Sequence, residues 1–384
     1  MENVLFILFL AVMISLLFQW AFRNLPNEQW QILAAVPVSR MGPERWKSIN
    51  LTYYGVFSAN ATVAATALFF FLCGAAKVPF AGSAGVAAIL LLFCMPASRF
   101  IARLVEGRPY TFTAGGSFFV GTLLSPWVTA LVNRVGESLG SASIPAEPCL
   151  AALAIACSMG EGLGRLACIS FGCCYGKPLS QVSPRVRRFF ESHCFVFVGR
   201  TKKIAYESGL EGEKVVPIQA VTAVLLVLTA LSSAFLFLRT SYLAAFIVSS
   251  VAAQGWRFVS ETLRADYRGE GKVSAYQIMG MIGIIYSLAV ALWSQDLHGP
   301  PASVGDGLKS LWNPALILIL FTLWVTVFIY TGRSRVTGSN VVFHVFHARI
   351  HAAPTKAPRP FPEHHRQKEA VSVESGKEAP RCMN

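Results

Sequence analysis

A chain of 384 residues that is 54% hydrophobic and only 14% charged, with a mean hydropathy of +0.52, is not an ordinary soluble domain. Its net charge of +13 raises nucleic acid as a partner, but the Lys and Arg residues lie in loops and in the tail rather than on a nucleic-acid fold. Anionic lipid headgroups fit that charge better, and repeated apolar runs long enough for about 30 Å of hydrocarbon make the fold class an all-α polytopic integral membrane protein.

Residues 4–22 form an apolar run ending near Trp20 and Arg23, with neither a basic leader nor a small-residue cleavage site, and read as an uncleaved anchor. A polar, partly amphipathic link with Arg40, Arg45 and Lys47 follows over 23–50. Further spans are expected at about 51–73, 81–105, 112–132 and 148–168. Residues 177–215 are the one long polar insertion, of a length that fits a small extramembrane head. Spans at about 216–238 and 242–259 are joined by a tight turn at Arg239 and form a helical hairpin. The last two fall at about 275–293 and 311–330, giving about nine in all. From Thr331 onward five histidines and repeated Pro, Lys and Arg predict a disordered basic tail. His344, His347 and His351 share a helical spacing that fits metal, but a solvated interfacial segment is the plainer reading. Positive charge follows spans one, three, five, seven and nine, which places the N-terminus outside by the positive-inside rule.

The residues 160–177 stand out. Glu161 and Arg165 sit at the end of the fifth span, where unpaired charge is costly, and Lys177 closes the stretch. Glycines 160, 162, 164, 172 and 176 allow backbones to pack closely and bring peptide N–H groups near a ligand such as a lipid phosphate. A second cluster ends the seventh span: Arg257, Glu261 and Arg264, with Asp266 just beyond. Spacings of four and three put the first three on one helical face, where the Glu261 carboxylate can orient guanidinium groups into a phosphate clamp. A salt-bridge ladder that merely ends a helix is the bland alternative.

These residues resemble the prolipoprotein diacylglyceryl transferases. That family's hallmark is similar to Gly-Arg-x-Gly-Asn-Phe-x-Asn-Gly-Glu-x-x-Gly, and residues 164–176 fit its frame without a gap. Tyr54-Gly55, Ala114-Gly115-Gly116, Pro217-Ile218-Gln219 and the run from Ala253 through Arg257, Glu261 and Arg264 resemble its other motifs in order and separation over about 50–295. The resemblance implies a seven-span core at 51–295 carrying the head, an added anchor and linker at 1–50, an added helix at 296–331 and the tail at 332–384. It also implies transfer of a diacylglyceryl group from phosphatidylglycerol to a lipobox cysteine thiol of a prolipoprotein, without cofactor or metal, in the bacterial inner membrane. Carried over by position, Arg165 and Arg257 would hold the phosphate and Glu261 would orient Arg257. Tyr54, Gly115, Gly116, Gly164, Gly176 and Arg264 would line the substrate site. The family faces its hallmark loop outward, opposite to the charge bias, and retained lipid-binding arginines would distort that bias.

The departures are specific. The family's histidine is Ala114, its motif asparagines are Cys168 and Phe171, its motif glutamate is Cys173, and its tyrosine before the second arginine is Ala253. With the histidine goes the obvious general base, for which Glu161 or a cysteine could substitute. Cys168, Cys173 and Cys174 leave three readings open: small residues packing a helix end, a thiolate nucleophile at Cys173 or Cys174, or a disulfide or metal site with Cys194, although the spacing matches no standard zinc pattern. Cys73, Cys94, Cys149 and Cys157 sit in or beside apolar runs as small hydrophobes. Rival functions are a divergent lipid transferase with another acceptor, using its own cysteine, and a non-catalytic phospholipid-binding scaffold.

Overall fold

The computed structural model describes residues 1–107, 114–267, 273–293 and 301–343. Within them, nine helices of 19 to 27 residues are long and apolar enough to cross a membrane, about 1.5 Å of rise per residue giving each the reach of a bilayer core. They are α1 (Glu2–Asn24), α2 (Tyr53–Ala75), α3 (Phe80–Glu106), α4 (Ala114–Ser138), α5 (Ala146–Phe171), α8 (Ile218–Leu238), α9 (Tyr242–Ser260), α10 (Ala275–Trp293) and α12 (Pro314–Gly332). Short helices α6 (Pro184–Phe190), α7 (Lys203–Ser208) and α11 (Val304–Leu311) lie between them. The histidine-bearing tail falls outside the described residues.

Burial sorts the long helices. Over half of the apolar window of α5 and of α8 is buried, 56% in each, against 11% for α1 and 17% for α3 and α12, so α5 and α8 form the interior and α1, α3 and α12 lie at the outside. The α5 helix packs on α2, α8, α9 and α4. Small residues make this possible. A Cβ placed on Gly162 would lie 2.9 Å from Val227 Cγ2 and 3.1 Å from the Ala223 carbonyl oxygen, so α5 and α8 touch at backbone distance. The α2 and α12 helices meet the same way at Gly55, where an added Cβ would collide with Gly332.

Two segments depart from the sequence expectation. The link after α1 is not merely a link, and the start of the tail is ordered. Strands β1 (Ile32–Arg40), β2 (Arg45–Thr52) and β5 (Arg333–Val342) form an antiparallel sheet in the order β1-β2-β5. Asn50 fixes its register, donating to Thr337 Oγ1 at 3.3 Å and accepting from Ser339 Oγ at 2.6 Å. The ninth span also begins later than expected. Asn313 caps α12 by accepting from the Ala315 N–H at 2.9 Å, and Pro314, which has no N–H to satisfy, opens the helix, so Val304–Leu311 is a separate helix packed on α2.

The head is small. Strands β3 (Phe195–Val196) and β4 (Lys214–Val215) pair within it, and Leu179, Cys194, Val216 and Ile218 form its own apolar cluster. It docks on the end of α1 and the entry to β1: Val198 N–H donates to the Pro26 carbonyl at 3.2 Å, and Thr201 Oγ1 to Gln31 Oε1 at 3.0 Å. Lys202 is fully buried there, its Nζ donating to the Ser170 carbonyl at 2.8 Å and the Leu25 carbonyl at 3.1 Å. Those oxygens belong to the ends of α5 and α1, where helix carbonyls lack intrahelical partners. Burial pushes the Lys202 amine down to about 7, and a neutral amine still has two N–H groups for its two carbonyls.

Candidate functional site

The last turns of α5 set Glu161, Arg165 and Cys168 at spacings of four and three, on one face of the helix. That face looks into a small cavity of about 80 Å³ between the helix ends. Arg257 and Ser260 from α9, Tyr54 from the start of α2, Gly115 from the start of α4, Thr222 from α8 and Tyr276 from α10 are also in its wall.

At its centre is one carboxylate with two guanidinium groups. Arg165 Nη2 donates to Glu161 Oε1 at 2.6 Å, and Arg257 Nη2 donates to Glu161 Oε2 at 2.6 Å. Arg257 Nη1 donates to the Gly115 carbonyl at 2.5 Å, tying α9 to the start of α4. All three charged side chains are at least 86% buried, with 14% of Arg165, 8% of Glu161 and 7% of Arg257 exposed. Two cations against one anion leave the trio with a net positive charge. The Arg165 Nε, buried, has no hydrogen-bond partner among the described residues.

The expected role of Glu261 is corrected. Arg257 is oriented by Glu161, not by Glu261. The α9 helix ends at Ser260 and continues as a tighter 3-10 turn over Glu261–Leu263; the Glu261 N–H still bonds the Arg257 carbonyl, but the guanidinium of Arg257 is held by the Glu161 carboxylate. Glu261 instead lies 3.7 Å from Arg264 and accepts from Ser274 Oγ at 3.3 Å. Arg264 is gripped bidentately by Asp266, Nε to Oδ1 and Nη2 to Oδ2 both at 2.8 Å. Burial opposes the Arg264 charge, but Asp266, Cys174 and Glu261 outweigh it and hold its pKa above the usual value. Burial also pushes the Asp266 carboxyl up to about 6.

The loop after α5 is clamped between the ends of α8 and α9. Gly172, at φ +70°, turns the chain out of α5, and the Cys173 N–H returns to the Cys168 carbonyl at 3.0 Å. Gln219 Nε2 holds the Cys173 carbonyl at 3.0 Å. Gly176 pairs with Arg264 in a β-bridge, and a Cβ there would collide with the Val216 carbonyl, so this glycine lets three chain segments meet. Cys174 has φ +55°, unusual for a residue with a side chain. Its sulfur and those of Cys168 and Cys173 lie within 4.8 Å of one another. Hydrogen bonds from Cys168 and Cys173 hold the Cys174 thiol well below its ordinary pKa, helped by Arg264 and Arg165, while those to Cys168 and Cys174 push Cys173 up.

Of the residues singled out in the sequence, Tyr54, Gly115, Arg165, Arg257, Glu261, Arg264 and Cys174 line this one cavity. Gly116, Gly164, Gly176 and Cys173 are not in its wall. Gly116 packs against Ile101, Gly164 faces Ala61 at ordinary contact distance, and Gly176 and Cys173 support the loop behind it. Cys194 is outside the thiol trio, in the apolar cluster of the head. Glu161 uses both carboxylate oxygens on the arginines, which counts against it as a general base. Its bond to Arg257 crosses two helices and has no signature in local spacing, whereas its i,i+4 relation to Arg165 does. No family model matches the chain, and no curated protein matches it.

Proposed function

We propose that this chain transfers a diacylglyceryl group from phosphatidylglycerol to the thiol of a prolipoprotein lipobox cysteine, releasing glycerol phosphate, in the bacterial cytoplasmic membrane with the site end of the bundle facing outward. One observation carries the reading: Arg165 and Arg257, from separate helices, converge within a cavity among membrane-spanning helices. In the reaction the acceptor thiol releases its proton to water, and its sulfur bonds to the glycerol carbon of the diacylglyceryl group. The bond from that carbon to the phosphate oxygen breaks, and glycerol phosphate leaves with the electron pair. Charge on the phosphate rises as that bond breaks, so fixed guanidinium groups stabilise the transition state more than the bound lipid.

Glu161 has a definite part in this. It holds two buried cations in place and leaves them a net positive charge for the headgroup, and the Nε of Arg165, unpartnered among the described residues, is the donor a phosphate oxygen would satisfy. Arg264, tied to Asp266, borders the same cavity as a third cation.

The test is turnover. Protein reconstituted with phosphatidylglycerol and a lipobox peptide should release glycerol phosphate and form a thioether on the peptide, and Arg165→Ala should abolish both. Lipid that co-purifies without any release under these conditions would favour a binding scaffold instead.

A further inference from the structure

The thiol trio is not used by the phosphate clamp, yet it borders the same cavity. Cys168 and Cys174 line the cavity and Cys173 lies behind them, all three as thiols rather than disulfides. The sulfurs are brought together at some backbone cost. A non-glycine residue with positive φ is uncommon, and Cys174 adopts φ +55° to turn back over the end of α5. Gln219 and the Gly176–Arg264 bridge fix the loop in that shape.

We infer that Cys168, Cys173 and Cys174 form a three-sulfur site for a zinc-like divalent ion whose fourth position opens into the cavity and takes the acceptor thiol. The inference rests on the proposed transfer reaction for the identity of that fourth ligand, but not for the ion itself.

The geometry fits. Metal–sulfur bonds of about 2.3 Å in a tetrahedral site put sulfurs about 3.8 Å apart. The three sulfurs already lie within 4.8 Å of one another, so closing on an ion needs shifts on the order of an ångström. Three thiolates favour zinc over hard cations such as magnesium or calcium. Three protein ligands with the remaining position open is the pattern of catalytic rather than structural zinc. Three thiolates on a divalent ion leave a net negative charge, and Arg165 and Arg264, each paired with a carboxylate, border the same cavity.

Such an ion would supply what Ala114 lacks. An acceptor thiol that binds the ion loses its proton to water and becomes a thiolate next to the phosphate clamp. That sulfur forms its bond to the glycerol carbon as the carbon–oxygen bond to phosphate breaks, and no metal redox change is involved. The thioether product is a poorer ligand than the thiolate and departs.

The experiment uses the full-length chain in detergent, reduced and anaerobic, titrated with cobalt(II) as a spectroscopic stand-in for zinc. The expected result is sulfur-to-cobalt charge-transfer absorption with tetrahedral d–d bands, saturating at a single equivalent per chain and displaced by zinc. Cys168→Ser, Cys173→Ser and Cys174→Ser should each weaken binding by at least about a hundredfold, more than loss of an outer hydrogen bond does. Cys157→Ser should not change it, and size-exclusion chromatography confirms that each variant is folded. A lipobox peptide should alter the cobalt spectrum, and the same peptide with Ser for Cys should not. Absence of thiolate–cobalt absorption, or its persistence in folded Cys173→Ser and Cys174→Ser, overturns the site. Glycerol phosphate release that survives complete metal removal overturns the metal's role and leaves the transfer reading standing. A cobalt site insensitive to the peptide, with no release in zinc-loaded protein, overturns the fourth-ligand assignment together with the transfer reading.

Discussion

Arg257 of α9 and Glu161 of α5 meet across a helix interface at 2.6 Å, and the other oxygen of the same carboxylate holds Arg165 at 2.6 Å. One glutamate therefore fixes both proposed phosphate ligands. Removing it leaves two buried guanidinium groups without their counter-ion, and breaking a buried pair in this way costs about 3–5 kcal/mol. Glu161→Gln should lower the thermal midpoint in detergent and reduce turnover together. Arg257→Met combined with Glu161→Gln should lose less stability than the two single changes added, by about 0.5–3 kcal/mol of coupling. Additive losses would show that the contact is not energetically shared.

Lysine is a poor substitute at these positions because a point charge cannot serve two acceptors in fixed directions. Arg165→Lys and Arg257→Lys should each lower kcat by roughly a hundredfold, the loss typical of one transition-state donor, with a smaller change in KM. Steady-state kinetics over a range of phosphatidylglycerol mole fractions separates the two constants. A change confined to KM would assign the arginines to ground-state lipid binding alone.

Lys202 predicts an unusual pH response. Its folded pKa, pushed down to about 7 by burial, lies below the value of an exposed lysine. Above pH 7 the folded chain thus binds fewer protons than the unfolded chain. Stability should rise with pH from about 7 toward about 10, by at most about 1.4 kcal/mol per unit, and this contribution should be flat below 7. Lys202→Met should remove that slope while loosening the head from the ends of α1 and α5. Thermal midpoints of both proteins across this pH range check the sign.

The Gly55–Gly332 contact tests the packing of α12. An added Cβ on Gly55 would collide with the backbone of Gly332, so Gly55→Val should push α12 away from α2. Overpacking of this kind costs about 1–3 kcal/mol. Limited proteolysis near β5, which continues directly from α12, should become faster; unchanged protection would mean that the crossing yields without strain.

The spans were legible because a run of about 20 apolar residues has little else it can be. The sheet was not. Asn50 finds Thr337 across 287 residues of sequence, and β1 is exposed along its whole length, so neither local composition nor alternation marks it as a strand. At the site, Arg165 and Arg257 stood out as charges at the ends of apolar helices, and both border the cavity. The partner of Arg257 is not legible in local spacing: Glu261 sits one helical turn away with its N–H on the Arg257 carbonyl, but the carboxylate that holds the guanidinium comes from Glu161 on another helix. The thiol trio was visible as three cysteines but not as a cluster, because a left-handed residue at Cys174 brings them together and periodicity cannot anticipate that turn.

The central claim is that the paired arginines hold the phosphate of a lipid whose diacylglyceryl group is transferred. The most direct measurement is release of glycerol phosphate from phosphatidylglycerol in proteoliposomes containing a lipobox peptide, run with native protein, Arg165→Ala and Arg257→Ala. Release that requires the peptide cysteine and disappears in both variants is the predicted result. No release by the native protein, or equal release by the folded variants, would contradict it.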